Sequence, residues 1–455
     1  MGLTAEIGRF VADVSPAQVP PPAVSIVKTG FTDCVAVMIA GWREPVAGVV
    51  AELAGTTLPE HPFAPACLRM AASDRAMLYA VAAHVLDFDD TALCGHPSAV
   101  LVPAILAQAQ ESGADGKAMI AAYVAGYEVW AELIARDKDQ HHRKGWHPSA
   151  VFGPVAAAAA AAVLRRLDAA RASHAVGIAA SLAGGVVANF GSMTKSFHLG
   201  RAAQSGLVAA RLAERGMTAS PDAIEHDAGL LQAVSPRGEV DRTRAARFGQ
   251  HWAILEIGLN VKLYPVCYGA HRIIDGMLDL RRRHALGAAD IQSVAVDIGE
   301  TQATILRNHR PQNALDAKFS AEFAIAAAAV AGDCGLAELT EAFVRRGDVQ
   351  DVFPRVSIST RTDRLPEEPA LAAYDRVEVV LRDGSKLASE AISYPRGHFK
   401  RPVDVDRLWS KFKDCTVSAM GEPRARALFE QLQALDRLAA VADLSGPVAQ
   451  YEKVG

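Results

Sequence analysis

The hydrophobic pattern of this chain changes once, near Pro265, and this change limits the fold more than any other feature. Before about Asn260, apolar residues recur every three or four positions among abundant Ala, Leu, Arg and Glu, which is typical of helices packed on helices. The clearest examples are residues 26–40, 76–86 and 202–215. The most apolar segment, 151–164, contains a long alanine run and predicts a buried helix whose small side chains let a neighbouring helix come close.

Beyond Pro265 the chain contains short β-branched stretches. Strands are predicted at 294–298, 356–359, 376–381 and 386–392. The last two flank Asp383-Gly384, a pair that is typical of a hairpin turn with a positive φ. Helical patterns persist at 321–330, 338–346 and 404–444.

These patterns together predict a mainly α fold with a smaller α+β part. We expect a helical domain over residues 1–265 and an α+β domain over 266–396, followed by a helical segment over 397–455 that returns to the first domain. No Gly/Ser linker or low-complexity tail separates these parts.

Composition excludes several classes of function. The net charge is −4, no basic block is present and only 6% of residues are aromatic, so a nucleic-acid partner is not expected. The six cysteines include no Cys-x-x-Cys pair, which favours reduced thiols in a cytoplasm. The first residues lack the pattern of a signal peptide, and no uncharged stretch of about 18 residues is free of helix breakers, so we expect neither export nor a membrane span.

Two segments repeat one motif, His96-Pro97-Ser98 and His147-Pro148-Ser149, each before an apolar, Ala-rich run. Proline is favoured at the first position of a helix, so each histidine is predicted to lie at a helix N-cap. Backbone N–H groups and the helix dipole there favour a carboxylate or phosphate, and they disfavour an imidazolium, which leaves a neutral base. The alternative is that both histidines only mark helix starts.

Three carboxylates and a threonine precede the first motif in Asp87-Phe88-Asp89-Asp90-Thr91. Carboxylates so close to a histidine can orient its ring and supply acid/base chemistry. They could also form an exposed helix end or a magnesium site, but the chain has no Walker-type phosphate loop, and we expect no metal.

Two lysines interrupt apolar or small-residue surroundings. Lys195 directly precedes a predicted helix, and Lys262 lies at the predicted domain junction with His271 nearby. Either could hold a substrate carboxylate or could be an ordinary surface lysine. With the histidines and the acidic cluster, and with no cofactor fingerprint, they indicate an enzyme that moves protons on a small polycarboxylate. Such chemistry needs positive charge and hydrogen-bond donors beside the developing enediolate.

Several separated motifs, in the same order, resemble the MmgE/PrpD family, which includes 2-methylcitrate dehydratase, cis-aconitate decarboxylase and iminodisuccinate epimerase. The matching segments are His84-Val85-Leu86-Asp87-Phe88-Asp89-Asp90-Thr91 with His96-Pro97-Ser98, Gly145-Trp146-His147-Pro148, residues 194–203, Lys262-Leu263-Tyr264-Pro265-Val266-Cys267, Ala317-Lys318-Phe319-Ser320, residues 397–402 and Lys411-Phe412.

The resemblance implies a large all-helical domain formed by both chain ends and a smaller lid domain, with the active site between them. It also implies activity without a cofactor and a homodimer. The positions that match the decarboxylase active site are Asp87, Thr91, His96, His147, Lys195 and Lys262. Our hypothesis is that His96, oriented by Asp87, exchanges the proton. Lys195, Lys262 and the helix start after His147 would then bind carboxylates.

Three departures keep the substrate open. The decarboxylases carry a tyrosine where this chain has Phe323, so a phenolic proton donor is absent. The spacer from Asp87 to His96 is shorter than in the 2-methylcitrate dehydratases, which also have an acidic residue at the position of Ala99. The candidate substrate-binding residues are Thr91, Ser98, Ser149, His198, His271 and Phe323.

The leading hypothesis is a cofactor-independent lyase that removes water or carbon dioxide from a small di- or tricarboxylate. The alternative is an isomerase like iminodisuccinate epimerase, which would need a second acid/base group such as His147 or Lys262. A third is a non-catalytic dimer that binds small acids, since a fold does not guarantee an activity.

Overall fold

The computed structural model describes residues 2–137, 139–366, 368 and 371–445. The chain forms two compact units, one from residues up to Leu259 together with those from Val405 onward, the other from Asn260–Asp404. These junctions lie a few residues from the predicted ones, because the Val261 N–H donates to the Gly397 carbonyl at 2.8 Å and ties both ends of the second unit together. Gly397 has a φ of 88°, and a Cβ there would lie 2.0 Å from the Val261 oxygen.

The first unit is helical throughout its described residues, apart from turns and isolated bridges. Its helices are Leu3–Asp13, Pro21–Ala40, Pro45–Leu53, Pro65–Leu68, Ala72–His84, Pro97–Ser112, Gly116–Ile134, His141–Lys144, Pro148–Val151, Gly153–Leu164, Ala169–Ser181, Thr194–Glu214, Leu230–Val234, Ala253–Ile257, Val405–Met420 and Glu422–Gln433. Short 3-10 turns cover Pro16–Gln18, Gly41–Arg43, Val187–Asn189, Leu435–Arg437 and Val441–Ser445. The mainly α prediction is confirmed.

The alanine run forms the centre of this unit. Gly153–Leu164 is buried along almost its whole length, as predicted, although the helix begins two residues later than expected. Small residues allow close contact, since a Cβ on Gly206 would lie 2.4 Å from that of Ala157. The closing helix Val405–Met420 packs against Pro21–Ala40.

One segment, Pro21–Arg43, is long and apolar enough to cross a membrane by length and composition. Its most apolar window is 67% buried inside the protein, as in the core helix of a compact domain. All six cysteines are described, and no two of them form a disulfide.

The second unit combines a four-stranded sheet with helices. The strands are β1 (Ile291–Gly299), β2 (Val356–Arg361), β3 (Arg376–Leu381) and β4 (Lys386–Ala388). Their order is β2-β1-β3-β4, with β1 and β2 parallel and the other pairs antiparallel. The helices are His271–His284, Glu300–Ile305, Ala314–Ala317, Ala321–Val330, Glu341–Val344 and Gly347–Gln350, with 3-10 turns at Tyr268–Ala270, Ala288–Asp290 and Phe353–Arg355.

Two elements of this unit are shorter than predicted. Strand β4 ends at Ala388, because the Ser389 hydroxyl takes the N–H of Val377 that would otherwise continue the ladder. The predicted helix 338–346 is reduced to Glu341–Val344, because the Thr340 hydroxyl caps it by accepting from Phe343 N–H. The Asp383-Gly384 turn is confirmed, with Gly384 at a φ of 88°.

Candidate active site

The candidate site lies in the first unit, around the segment that joins Ala72–His84 to Pro97–Ser112. Asp87 has a φ of 53°, in the left-handed region that non-glycine residues rarely adopt. Leu93 and Cys94 share this conformation inside a tight turn closed by Ala92 and Gly95. Such backbone strain is concentrated at functional sites, where the surrounding structure holds it.

The two His-Pro-Ser motifs begin different structures. His96 is the N-cap of a helix of 16 residues, as predicted, and its backbone N–H donates to the Ser149 hydroxyl at 3.0 Å. His147 precedes only the four-residue turn Pro148–Val151, because Pro154 lacks the N–H needed to continue the hydrogen-bond ladder. The helix expected after His147 is therefore a single turn with little dipole, and carboxylate binding there stays a prediction.

Asp89 lies between two imidazole rings. Its carboxylate is 3.0 Å from Nδ1 of His84 and 2.9 Å from Nδ1 of His96. The His96 Nδ1 also lies 3.0 Å from the Asp90 carbonyl oxygen, and the two rings are 4.4 Å apart at their centroids. An ionised carboxylate and a carbonyl only accept, so each Nδ1 carries the hydrogen, and a neutral ring keeps its lone pair at Nε2.

Burial determines the charge states in this group. Burial lowers the pKa of His84 to about 3, against the attraction of Asp89, so its ring is neutral. Burial alone would raise the pKa of Asp89, but the two imidazoles beside it hold that pKa well below its usual range. Asp89 is therefore a carboxylate that stays ionised beside two imidazole rings.

Lys195 and Asp87 form an ion pair on the other side of His96. The Lys195 Nζ lies 2.8 Å from Asp87 Oδ1, and the same oxygen is 3.9 Å from Nε2 of His96. Asp87 is therefore close to the ring, but the carboxylate that orients it is Asp89, in contrast to our hypothesis from the sequence. The ammonium group also lies 5.3 Å from the centre of the Phe190 ring.

A second histidine pair completes the cluster. The Nδ1 atoms of His147 and His198 are 3.1 Å apart, and the His147 ring centre is 6.3 Å from that of His84. Phe190 contacts His147 edge to face at 4.8 Å. Burial lowers the pKa of His147 well below its usual range, and the neighbouring imidazoles and the Lys195 ammonium lower it further.

The remaining candidates of the first unit have different surroundings. Thr91 Oγ1 is buried and makes no hydrogen bond within the described part of the chain, so it is available to a ligand. The Ser98 hydroxyl is bonded to the Tyr123 hydroxyl at 2.7 Å and lies in the core. Ser149 is also fully buried, holding the His96 backbone. Both serine hydroxyls thus have partners within the protein, and their contact with a substrate stays a prediction.

Three candidates lie in the second unit. Lys262 is buried, and His271 is buried between the rings of Tyr264 and Tyr268, each 5.1 Å away. Phe323 is fully buried in the hydrophobic core of this unit, with its ring edge-on to Phe343. This packing explains an apolar side chain at that position and does not support the predicted substrate contact.

Sequence reasoning assigned no role to His84 or Phe190, and it named Asp89 only as a member of the acidic cluster. His84 and Asp89 stand five residues apart in the segment quoted for the family resemblance, so a stricter search for histidines near the acidic cluster could have found the pair. Phe190 carries no chemical signal in the sequence. Only the fold brings it to Lys195 and His147.

Four residues offer ligand atoms suited to a cation: His84, Asp87, Asp89 and His96, all within 4.8 Å of one another. The Nδ1 atoms of His84 and His96 both lie within 3.0 Å of the Asp89 carboxylate, and the Lys195 ammonium already pairs with Asp87. These contacts fit a proton-transfer site better than a metal centre.

The first unit therefore contains an acid/base site. It consists of histidines, carboxylates and a lysine, grouped around a segment with strained backbone. Models of the MmgE/PrpD N-terminal domain and the MmgE/PrpD C-terminal domain match residues 5–243 and 264–437. The chain belongs to the MmgE/PrpD family. The second matched region extends past Asp404 into helices that are part of the first structural unit.

Curated relatives carry the name cis-aconitate decarboxylase. The Homo sapiens protein is 26% identical over 76% of this chain and 73% of its own length. The Aspergillus terreus protein is 24% identical over 77% and 75%. A cis-aconitate decarboxylase-like protein, oryM, of Aspergillus oryzae is 24% identical over 97% of this chain and 96% of its own.

Proposed function

We propose that this protein is a lyase that acts on a small di- or tricarboxylate without a cofactor, by proton transfer at Nε2 of His96. The observation that carries the proposal is the fixed tautomer of this ring, whose Nδ1–H donates to the Asp90 carbonyl at 3.0 Å, with the Asp89 carboxylate 2.9 Å from the same nitrogen. The remaining nitrogen is 3.9 Å from the oxygen of Asp87 that pairs with Lys195. The relatives' names support an enzyme of the dehydratase or decarboxylase type.

Lys195 is the group we assign to a substrate carboxylate. Its ammonium is largely buried and has one carboxylate partner at 2.8 Å, so a second carboxylate can approach the same charge. Positive charge there would stabilise the enediolate that develops when the carbon next to a carboxylate loses a proton. Thr91 Oγ1 supplies a further donor.

The two lyase reactions use His96 in opposite protonation states. In a dehydration, a neutral ring accepts the proton from carbon at Nε2, the released electron pair forms the C=C bond, and hydroxide leaves as water after receiving a proton. In a decarboxylation, the C–C bond breaks to release carbon dioxide, and a protonated ring donates to the resulting carbanion.

The first experiment is proton NMR of the purified protein in deuterated buffer with citrate, 2-methylcitrate, cis-aconitate, tartrate and iminodisuccinate. New vinyl signals or the loss of a carboxyl group would support the lyase and identify its substrate. Deuterium exchange at the α-carbon with an unchanged skeleton would favour the epimerase. Binding of one of the acids without turnover would favour the small-acid binding protein.

A matched pair of variants tests the assigned base. His96→Gln should lower kcat by about 10²- to 10⁴-fold, the usual contribution of general acid/base catalysis, while circular dichroism stays that of the wild type. His226→Gln, at an exposed histidine of the same unit, is the control. Unchanged turnover in His96→Gln would refute the assignment.

The epimerase alternative has one observation in its favour. Epimerisation needs a second acid/base group on the opposite face of the substrate, and the buried pair His147 and His198 lies in the same cluster as His96. The solvent deuterium experiment separates the two reactions. A cytoplasmic location and a homodimer remain parts of this proposal.

A further inference from the structure

We propose that His147 and His198 form a two-imidazole relay that moves a proton between the candidate site and solvent. The inference starts from their contact, since the two Nδ1 atoms face each other at 3.1 Å. A contact of this length between two ring nitrogens is a hydrogen bond only when one carries hydrogen and the other does not. The pair therefore shares one proton across its Nδ1 atoms.

Because they share one proton, the two rings are in different tautomers. The ring whose Nδ1 donates has a bare Nε2, and the ring whose Nδ1 accepts has its hydrogen at Nε2. A proton that arrives on the bare Nε2 lets the Nδ1 proton cross to the partner ring, which then releases its own Nε2 proton. One proton enters, one leaves, and the pair ends in the opposite tautomer with no net change in charge.

The position of the pair suits this role. His147 is 2% exposed, and its ring centre lies 6.3 Å from that of His84, which is bonded to Asp89. His198 is 7% exposed and follows Lys195 by three residues on Thr194–Glu214, so both side chains project from one face of that helix.

Gly185 contacts both histidines of the pair. Its carbonyl accepts the backbone N–H of His147 at 3.0 Å. A Cβ at this position would lie 3.1 Å from Cγ of His198 and 2.5 Å from Cβ of Ala150. Only glycine lets the backbone come this close to both His198 and Ala150. This close approach helps to set the distance between the two rings.

The surrounding charges keep a proton from resting on the pair. Burial lowers the pKa of His147, and the neighbouring His84, Lys195 and His96 lower it further. Burial and then Lys195 lower the pKa of His198. A protonated pair therefore gives up its proton more readily than a free imidazolium, which a relay requires.

The reaction would need such a relay, and this step rests on the proposed function. Asp89 occupies one nitrogen of His96, so that ring exchanges a single proton at Nε2. Dehydration needs a second proton for the leaving hydroxide, and epimerisation needs one on the opposite face of the substrate.

The first test does not depend on activity. In the intact protein labelled with ¹⁵N-histidine, the relay requires one Nδ1 of the pair to give the signal of an N–H nitrogen and the other that of a bare nitrogen at neutral pH. His198→Phe and His147→Phe assign the two signals. Two Nδ1 atoms in the same state would overturn the proposal.

The second test is kinetic. In weakly buffered solution, His198→Phe should lose about 10²-fold in kcat with little change in KM, and added imidazole should restore much of the loss. Wild type and the control His226→Phe should not respond to imidazole. Full activity of His198→Phe, or a loss that imidazole does not reverse, would overturn the relay. If the wild type turns over none of the acids, the proposed function fails, while the NMR experiment still decides whether the pair shares a proton.

Discussion

At the scale of single residues, the site depends on one carboxylate. Asp89 accepts from His84 and lies 2.9 Å from Nδ1 of His96, whose hydrogen goes to the Asp90 carbonyl, so each ring keeps its free nitrogen at Nε2. The adjacent Asp90 has a different state, because burial and the nearby Asp33 raise its pKa well above the usual range. The pKa values of two consecutive aspartates are therefore shifted in opposite directions by their surroundings alone.

This contrast yields a matched prediction. Asp89→Asn should lower kcat by about 10²-fold or more, because an amide nitrogen that donates to His96 would reverse its tautomer. Asp90→Asn puts a neutral group of the same shape where burial already raises the pKa of the acid, and it should leave kcat within about threefold of the wild type. Steady-state kinetics of both variants checks this, and equal losses in the two would contradict it.

At the scale of elements, the helix Val405–Met420 packs against the segment of the candidate site that contains Asp87 and Asp89. The Lys411 Nζ lies 2.5 Å from Asp33 Oδ1 and donates to the Phe88 carbonyl at 2.7 Å, between the two aspartates of the site. It also lies 4.0 Å from the centre of the Phe88 ring. The closing segment thus holds a loop more than 300 residues earlier in the chain.

Removing this lysine should destabilise the fold. Lys411→Met leaves Asp33 buried without its cation, and we expect the free energy of unfolding to fall by about 3–5 kcal/mol. Lys413→Met on the same helix removes an exposed pair with Glu422 and should change it by less than about 0.5 kcal/mol. Urea denaturation measures both, and similar values for the two would refute the role of Lys411.

A second element prediction concerns pH. Glu128 accepts the N–H groups of Ala253 and Ile254, which open a short helix, and burial raises its pKa from 4.5 to about 7. Between these two values the folded state holds more protons than the unfolded chain. The free energy of unfolding therefore falls as the pH rises through this window, by up to about 3 kcal/mol from this group.

The measurement is urea denaturation of wild type and Glu128→Gln at about pH 5 and about pH 8. Asp375 contributes with the same sign, since burial also raises its pKa to about 7, so the comparison between the two proteins isolates Glu128. The variant should show the smaller loss of stability on raising the pH. An equal loss would show that Glu128 is not protonated in the folded state.

At the scale of the whole molecule, the homodimer remains a prediction of family membership. Light scattering on eluted protein should give twice the 48.1 kDa of the chain. A mass of one chain at micromolar concentration would contradict it. The same sample, titrated with the acids tested above, would show whether a substrate changes the assembly.

Sequence patterns alone determined the mainly α fold class, the smaller α+β part that contains the sheet, and the family. Apolar periodicity and turn residues are local signals, so the alanine-rich helix and the Asp383-Gly384 hairpin could be predicted. Chemical reasoning about His96, Asp87 and Lys195 also selected residues that the fold brings together.

Only the tertiary structure decided how these residues act. The sequence cannot tell that Asp89 lies beside both His84 and His96, that the pKa of Asp90 is raised, or that His147 pairs with His198, because each depends on distances and burial that long-range packing creates. The same packing turned Phe323 into a core residue. Residue type defines which chemistry is available, whereas the position of charges in a buried site defines which atom carries it out.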